Sequence, residues 1–166
     1  MCIRDSLRTE SRKFALDVLE CVEKSSARMV IDAASSSPIE NAGPEKVRKY
    51  LSRADLVLAN EDEFAALEIG APDNWTSEFQ NLILKRGPRG ALWLKRGQEV
   101  ASVKAEDVEV IDTTGAGDAF AAGLLSQLRL RGDWDNLGDV DYAQSLLVAS
   151  HTAAENCKTL GATPVS

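Results

Sequence analysis

The chain has 166 residues, which is enough for one domain with a sizeable core. Its 26 acidic residues outnumber 19 Lys and Arg and give a formal net charge of −7, which argues against a nucleic-acid partner because phosphates attract clustered basic side chains. No apolar run approaches the length of a membrane span, and the first residues lack the apolar core of a signal peptide, so we expect no membrane partner.

Helix-like and strand-like patterns alternate along the chain. Residues 7–22 repeat apolar side chains with the helical period, whereas residues 28–32 form a short apolar run typical of a buried strand. The further predicted segments are, in order, a loop over 35–38, a helix starting at Pro44 with Val47, Tyr50 and Leu51 inward, a strand over 54–59, a loop over 71–75, a hairpin over 82–93, strands after Gly97 and over 108–112, a helix opened by the turn at 115–117, an acidic loop over 132–139 and a helix over 140–157. This alternation predicts an α/β fold, a three-layer α/β/α sandwich whose sheet is mostly parallel with one antiparallel hairpin.

The most informative segment is the junction at residues 108–125, where an alternating apolar run meets a glycine turn that opens a helix. Gly115 and Gly117 lack a Cβ, so the backbone can approach a ligand closely there. The first amides of a helix have no internal partner and carry the positive end of its dipole, so they can stabilise charge on a transferring phosphoryl group. A carboxylate in that first turn, Asp118, can deprotonate an attacking hydroxyl. The alternative is a helix start whose small residues only pack against a sheet.

The junction matches neither a Walker A loop nor a dinucleotide fingerprint, because Phe120 occupies the third glycine position of the latter. It resembles the signature near the carboxyl end of the ribokinase/PfkB family of carbohydrate kinases. The matching residues are Asp112, Thr113, Gly115, Ala116, Gly117, Asp118 and Phe120. The resemblance implies a ribokinase-like fold, an anion hole at Gly115, Ala116 and Gly117, Asp118 as catalytic base, and Thr113 beside the nucleotide.

A second match lies at Asn60 and Glu63, which follow an apolar strand. Their spacing predicts a capping box at the start of a helix, and this local role is one complete explanation of the pair. The family resemblance adds another, in which Asn60 and Glu63 help to place Mg²⁺, its waters and the phosphates of ATP.

Two further segments agree with the family's order. Gly87-Pro88-Arg89-Gly90 is strong turn chemistry on its own, and the resemblance makes Lys85, Gly87 and Gly90 candidate nucleotide contacts with Arg89 nearer the rim. The segment 153–164 resembles the family's final helix and Gly-Ala turn, which close over the adenine. The residues implied there are Asn156, facing the base, and Gly161, at the helix end, with Pro164 as a stop soon after. Asp112 and Thr114 match positions that, in some members, contribute to a monovalent cation site, so K⁺ is a further candidate.

The resemblance runs from about residue 7 to the end but covers only the second half of the family pattern. We therefore expect a carboxyl-terminal half that lacks the sugar-gripping segments, with residues 1–6 non-native or frayed and a homodimer as an option for the full-length protein. The implied activity is transfer of the γ-phosphate of ATP to a hydroxymethyl group of a sugar or nucleoside, in a ribokinase-, fructokinase- or pseudouridine-kinase-like reaction. Asp32-Ala33-Ala34-Ser35 departs from the Asp-x-Asn-x-x-Arg pattern of several sugar-acid and fructose kinases. A truncated nucleotide-binding module without catalysis is the alternative.

The cysteines and the histidine carry weaker predictions. Cys2, Cys21 and Cys157 are odd in number and lack metal-ligand spacing, which favours a reduced, cytoplasmic protein in which Cys21 and Cys157 are buried free thiols. His151 is the one histidine of the sequence, and we expect it near the adenine or at the surface rather than as a base.

Overall fold

The computed structural model describes residues 9–68, 74–132, 134 and 137–162, with side chains from Leu16 onward. Its helices are α1 (Thr9–Glu23), α2 (Ser36–Ala42), α3 (Pro44–Leu51), α4 (Glu61–Glu68), α5 (Ala116–Arg131) and α6 (Asp139–Cys157), with short 3₁₀ turns at Trp75–Glu78 and Gly87–Arg89. Its strands are β1 (Val30–Asp32), β2 (Leu56–Asn60), β3 (Asn81–Lys85), β4 (Ala91–Lys95) and β5 (Gln98–Val103). The predicted α/β class is confirmed, and the predicted helices and strands agree with these bounds except where noted below.

The five strands form one sheet in the order β1-β2-β3-β4-β5. β1 and β2 run parallel, with Ile31 opposite Val57. Short loops join β3, β4 and β5 in succession, and connections this short require antiparallel neighbours. The Arg96-Gly97 turn between β4 and β5 has positive φ at both residues, as type I′ hairpins require. The sheet is therefore mixed and not mostly parallel as predicted, and it carries two hairpins where the sequence predicted one.

The chain divides into two compact units, and the first comprises Met1–Leu84 with Leu94–Gln98. Within it, α2, α3 and α4 contact one another and β1 contacts β2. Its core is apolar and fully buried, because α1, α3 and both strands turn their aliphatic side chains inward. Members of this core include Leu19, Ile31, Ile39, Val47, Leu51, Val57, Leu67, Phe79 and Leu82. Tyr50, predicted to point inward, is partly buried against the core.

The second unit comprises Lys85–Trp93 and Glu99–Ser166, and the long helices α5 and α6 pack together within it. Buried side chains of this unit include Trp93, Val103, Phe120, Leu124, Leu128, Tyr142 and Leu146. The rings of Trp93 and Tyr142 meet edge to face with centroids 4.8 Å apart. Both units thus have apolar interiors of their own.

Four sequence predictions need correction. The strand predicted over 108–112 is absent: residues 104–110 are in neither helix nor strand, and Val110 and Ile111 are 56% and 59% exposed. A loop was predicted over 35–38, but α2 begins at Ser36. The helix tolerates Pro38 because this residue lies in its first turn. Trp75, placed in a loop, begins a 3₁₀ turn. Cys21 is exposed and Cys157 half-buried, so neither is a buried thiol, although both are free.

Several predictions fall on residues outside the described ranges. These are residues 1–6, the loop at 71–73, Pro164 and parts of the acidic loop over 132–139. Within the described part of the chain, no helix is long and apolar enough to cross a membrane.

Candidate functional site

The glycine turn at residues 115–117 begins α5, as the sequence predicts. Gly115 is the N-cap residue, with φ 80° and ψ −2°, a left-handed conformation that favours glycine. The Ala116 N–H donates to the carbonyl oxygen of Thr113 at 3.1 Å. The amides of Gly117 and Asp118 occupy the next helical positions and belong to the group that a helix cannot pair internally. Asp118 is exposed in the first turn, so a carboxylate and two helix-start amides lie together.

Lys85, at the end of β3, lies beside this turn. Its Nζ is 3.7 Å from the position that a Cβ on Gly117 would occupy. An ammonium group next to the positive end of a helix creates a strongly electropositive location, which attracts phosphate. The structure therefore brings together Lys85, Gly117 and Asp118, which the sequence had linked only through the family resemblance.

Asp112 organises the loop that precedes the turn. One of its carboxylate oxygens accepts hydrogen bonds from the backbone N–H and the hydroxyl of Thr114, at 2.9 and 2.7 Å. The other accepts the Gly161 N–H at 2.9 Å. These bonds, with the Thr114 N–H contributing most and the Gly161 N–H next, hold the pKa of Asp112 below its usual range.

The carboxyl end of α6 holds the same loop from the other side. The backbone N–H groups of Ile111 and Asp112 both donate to the Cys157 carbonyl oxygen, at 2.8 and 3.2 Å. Asn156 is buried, and its side-chain amide donates to the Thr114 carbonyl oxygen at 2.8 Å. Asn156 thus has a structural bond within the loop, and its predicted contact with adenine stays a prediction.

Gly115 is also the point where residues 161–162 pass closest to the turn. A Cβ on Gly115 would lie 2.8 Å from the Ala162 Cβ and 2.9 Å from its Cα, closer than a Cβ atom approaches non-bonded heavy atoms in folded proteins. Gly115 is therefore required twice, by its positive φ and by this approach. The predicted Gly161 and the turn glycine belong to one packed arrangement in the second unit.

The hairpin turn at 86–90 has its own glycine requirement. The Arg86 N–H donates to the Gly90 carbonyl oxygen at 2.8 Å, which closes the turn. A Cβ on Gly90 would lie 1.9 Å from the Val103 carbonyl oxygen, so the end of β5 fits against Gly90 only because that residue has no side chain. Gly87 and Arg89 are exposed. This packing explains Gly90 without a nucleotide, and its predicted nucleotide contact stays a prediction.

Asn60 and Glu63 form the predicted capping box in the first unit. The Asn60 N–H donates to Glu63 Oε2 at 2.7 Å, and the Glu63 N–H donates to Asn60 Oδ1 at 2.9 Å. Glu63 is only 3% exposed. The pair therefore fixes the first turn of α4 directly after β2, and the predicted role toward Mg²⁺ and phosphates stays a prediction.

Several contacts of the second unit were not predicted from the sequence, and two of them concern α6. The Cys157 carbonyl accepts both loop amides, and His151 Nδ1 lies 2.9 Å from a carboxylate oxygen of Glu106. The latter partners are 45 residues apart, and neither lies in a recognisable motif. Such pairings leave no signal in sequence spacing, because they depend on how α6 packs.

Comparisons with known proteins identify the family. A model of the pfkB family of carbohydrate kinases matches residues 1–166. A fructokinase of Klebsiella pneumoniae is 32% identical over 159 residues, covering 86% of this chain and 51% of its own length. An ATP-dependent ribose-1-phosphate kinase of Halopiger xanaduensis is 32% identical over 131 residues, covering 77% of this chain and 44% of its own.

A crystal structure of a fructokinase from Vibrio cholerae, with fructose, ADP and calcium bound, superposes with a TM-score of 0.81 at 25% identity and covers 98% of this chain. This chain covers 55% of that structure. The chain thus spans about half the length of the relatives it matches. Because the fold is ribokinase-like and the family model matches residues 1–166, the chain belongs to the pfkB family of carbohydrate kinases.

Proposed function

We propose that this chain is the ATP-binding and catalytic half of a kinase that transfers the γ-phosphate of ATP to a hydroxymethyl group of a sugar or nucleoside. The observation that carries the proposal is the turn where Lys85 Nζ approaches Gly117 and the exposed carboxylate of Asp118 sits at the start of α5. A phosphoryl group needs positive charge and free amide donors, and its acceptor hydroxyl needs a base. The first turn of α5 offers the amide donors and the base, and Lys85 at the end of β3 adds the positive charge.

The side chains divide this work. Asp118 takes the proton from the hydroxyl that attacks the γ-phosphorus. The amides of Gly117 and Asp118 hold the phosphoryl oxygens, since the Ala116 N–H is already donated to Thr113. Lys85 compensates charge on the phosphates, with Gly87 and Gly90 bordering the nucleotide. Gly115, Thr113, Asn156 and Gly161 support the turn and the adenine side.

Mg²⁺ and K⁺ enter the proposal through the residues that fit them. Asn60 and Glu63 offer oxygen atoms of the kind that Mg²⁺ and its waters prefer, and Mg²⁺ when bound neutralises charge between the phosphates. Asp112 and Thr114 offer a carboxylate and a hydroxyl oxygen to one side of a monovalent cation site. One oxygen of the same Asp112 carboxylate accepts the Gly161 N–H, so such an ion would stabilise the segment at the end of α6.

The acceptor is a sugar or nucleoside, and the sequence leaves its identity open among fructokinase-like, ribokinase-like and pseudouridine-kinase-like reactions. The relatives above act on fructose and on ribose 1-phosphate, so similarity to them does not choose between acceptors. A cytoplasmic location and a homodimer of the full-length protein complete the proposal.

A second candidate function is a nucleotide-binding module without catalysis. The chain spans about half the length of its relatives, and this observation favours it. Both candidates predict ATP binding, and they differ in whether an acceptor sugar releases ADP.

The test uses the full-length protein and measures ATP binding calorimetrically and ADP release in a coupled assay, with fructose, ribose, deoxyribose and nucleosides as acceptors. If the chain is catalytic, one acceptor raises ADP release, and Asp118→Ala lowers turnover by about 10²–10⁴-fold with ATP affinity nearly unchanged. Asp139→Ala is the matched control, because Asp139 is also an exposed carboxylate in the first turn of a helix of the same unit.

Each outcome decides between the candidates. Near-normal turnover in Asp118→Ala would exclude Asp118 as the base. ATP binding with no acceptor-dependent ADP release would favour the binding module. Absence of ATP binding would contradict both.

A further inference from the structure

One side-chain cluster of the second unit has no role in the proposed phosphoryl transfer. Glu106 lies in the segment 104–110, and His151 and Glu155 are neighbours on consecutive turns of α6. His151 Nδ1 is 2.9 and 3.0 Å from the two carboxylate oxygens of Glu106. One ligand atom from each of the three residues lies within 4.8 Å of the other two. An imidazole nitrogen and two carboxylates therefore face one small volume.

The two carboxylates of this cluster are stabilised by nearby positive charge. Two carboxylates at this separation repel each other unless positive charge lies near both. Lys158 is hydrogen-bonded to Glu155, which compensates one of them. A proton on His151 or a metal ion can compensate the other.

The ligand types select the metal. Mg²⁺ and Ca²⁺ take oxygen ligands, whereas Zn²⁺ and other divalent first-row transition metals bind imidazole nitrogen together with carboxylate oxygen. Imidazole nitrogen is the ligand that separates this cluster from Asn60 and Glu63, which offer oxygen atoms. A divalent transition ion is thus the better match.

We propose that Glu106, His151 and Glu155 form a surface site for a divalent transition-metal ion, with Zn²⁺ as the best-matched ion. The three side chains are 49%, 56% and 50% exposed, so they can rotate to bonding distances of about 2.0–2.2 Å and water can complete the coordination. The bound ion joins the segment 104–110 to α6, close in sequence to Ile111 and Asp112, whose amides the Cys157 carbonyl already holds.

The test uses the whole chain, free of any affinity tag, titrated with ZnCl₂ in the presence of millimolar Mg²⁺. Because the sequence has one histidine, its imidazole resonances in a proton NMR spectrum report on His151 alone. We expect these resonances to shift and to saturate at one Zn²⁺ per chain, with the same stoichiometry by calorimetry. Zinc should also raise the melting temperature, since a ligand that binds only the folded state stabilises it.

Three variants and one control identify the ligands. Glu106→Gln and Glu155→Gln should each weaken zinc binding by at least about tenfold. Losing a residue that only orients a metal ligand already costs about 10–100-fold in metal affinity. His151→Ala should remove the zinc-dependent rise in melting temperature. Glu45→Gln is the control, because Glu45 is an exposed carboxylate paired with a lysine but has no histidine beside it, and its zinc affinity should equal that of the parent chain.

Three results would overturn the site. The first is that the imidazole resonances do not shift at millimolar zinc. The second is that zinc binds without shifting these resonances, as it would if it bound to cysteine thiols. The third is that the zinc affinity is unchanged in all three variants. Melting without zinc shows which variants are folded, and since all three positions are exposed, the folded variants decide the outcome.

Discussion

Each unit holds one polar arrangement of candidate site residues, and the two arrangements are built in opposite ways. In the first unit, Asn60 and Glu63 exchange hydrogen bonds across three residues of chain, and Glu63 is almost fully buried. In the second unit, Asp112 accepts from Thr114 nearby and from Gly161, which is 49 residues further on. The first is a local capping motif, and the second joins distant parts of the chain.

The two arrangements differ in how far along the chain their hydrogen-bond partners lie. The capping box needs only that β2 ends at Asn60 and that a helix follows, so its formation and its energy are local. The Asp112 loop needs the end of α6 to arrive at the right place, because its donors and acceptors include Gly161, Asn156 and the Cys157 carbonyl. We expect damage to the first to stay within α4 and damage to the second to spread from the turn to residues 157–162.

The largest expected effect is on the long-range arrangement, through Gly115→Ala. The new Cβ would lie 2.8 Å from the Ala162 Cβ, and the alanine would have to adopt a positive φ. The backbone strain costs about 1–3 kcal/mol of unfolding free energy, and the overlap adds to it. Chemical denaturation measures the loss, and hydrogen exchange of the Gly161 amide should speed up as it leaves Asp112.

Gly132→Ala serves as the control for this substitution. Gly132, at the other end of α5, also has a positive φ, of 75°, but apart from its chain neighbours no described residue has an atom within 4 Å of its Cβ position. It should show the strain alone and leave exchange at Gly161 unchanged. Equal losses in the two variants would mean that the approach of Ala162 contributes nothing.

A smaller effect is expected from Glu63→Ala in the local arrangement. This change leaves the Asn60 N–H without its acceptor, which should cost about 1–2 kcal/mol of unfolding free energy. Faster exchange should be confined to the first turn of α4. Glu45→Ala, which removes an exposed carboxylate from the first turn of α3, should leave the unfolding free energy nearly unchanged. Exchange that spreads into the core strands would show that the capping box is not a local element.

The smallest expected effect is a pH dependence carried by Asp112. Its pKa in the folded chain lies below the unfolded value of about 4, chiefly because the Thr114 N–H stabilises the carboxylate. A lowered pKa means that the stabilisation is present above pH 4 and is lost as pH falls through the folded-state value. The melting-temperature difference between the parent chain and Asp112→Asn should therefore be constant above pH 5 and shrink below pH 4. A difference that stays constant down to pH 3 would contradict the assignment.

The sequence by itself determined the local parts of this protein. The glycine turn with Asp118, the capping box of Asn60 and Glu63, the turn at 87–90 and the long amphipathic helices all follow from residues within a few positions of one another. Conformational preference and capping act over that range, so spacing alone predicts them.

Only the tertiary structure decided the rest. An alternating pattern predicted a strand at 108–112, but alternation makes a strand only where a neighbouring strand can pair with it. Instead, the Ile111 and Asp112 amides donate to the Cys157 carbonyl, and Val110 and Ile111 remain exposed. The approach of Ala162 to Gly115, the Asn156–Thr114 bond and the Glu106–His151 contact likewise required α6 in place. They join residues more than forty positions apart, and the choice among such partners is made by the packing of whole helices, which no short motif records.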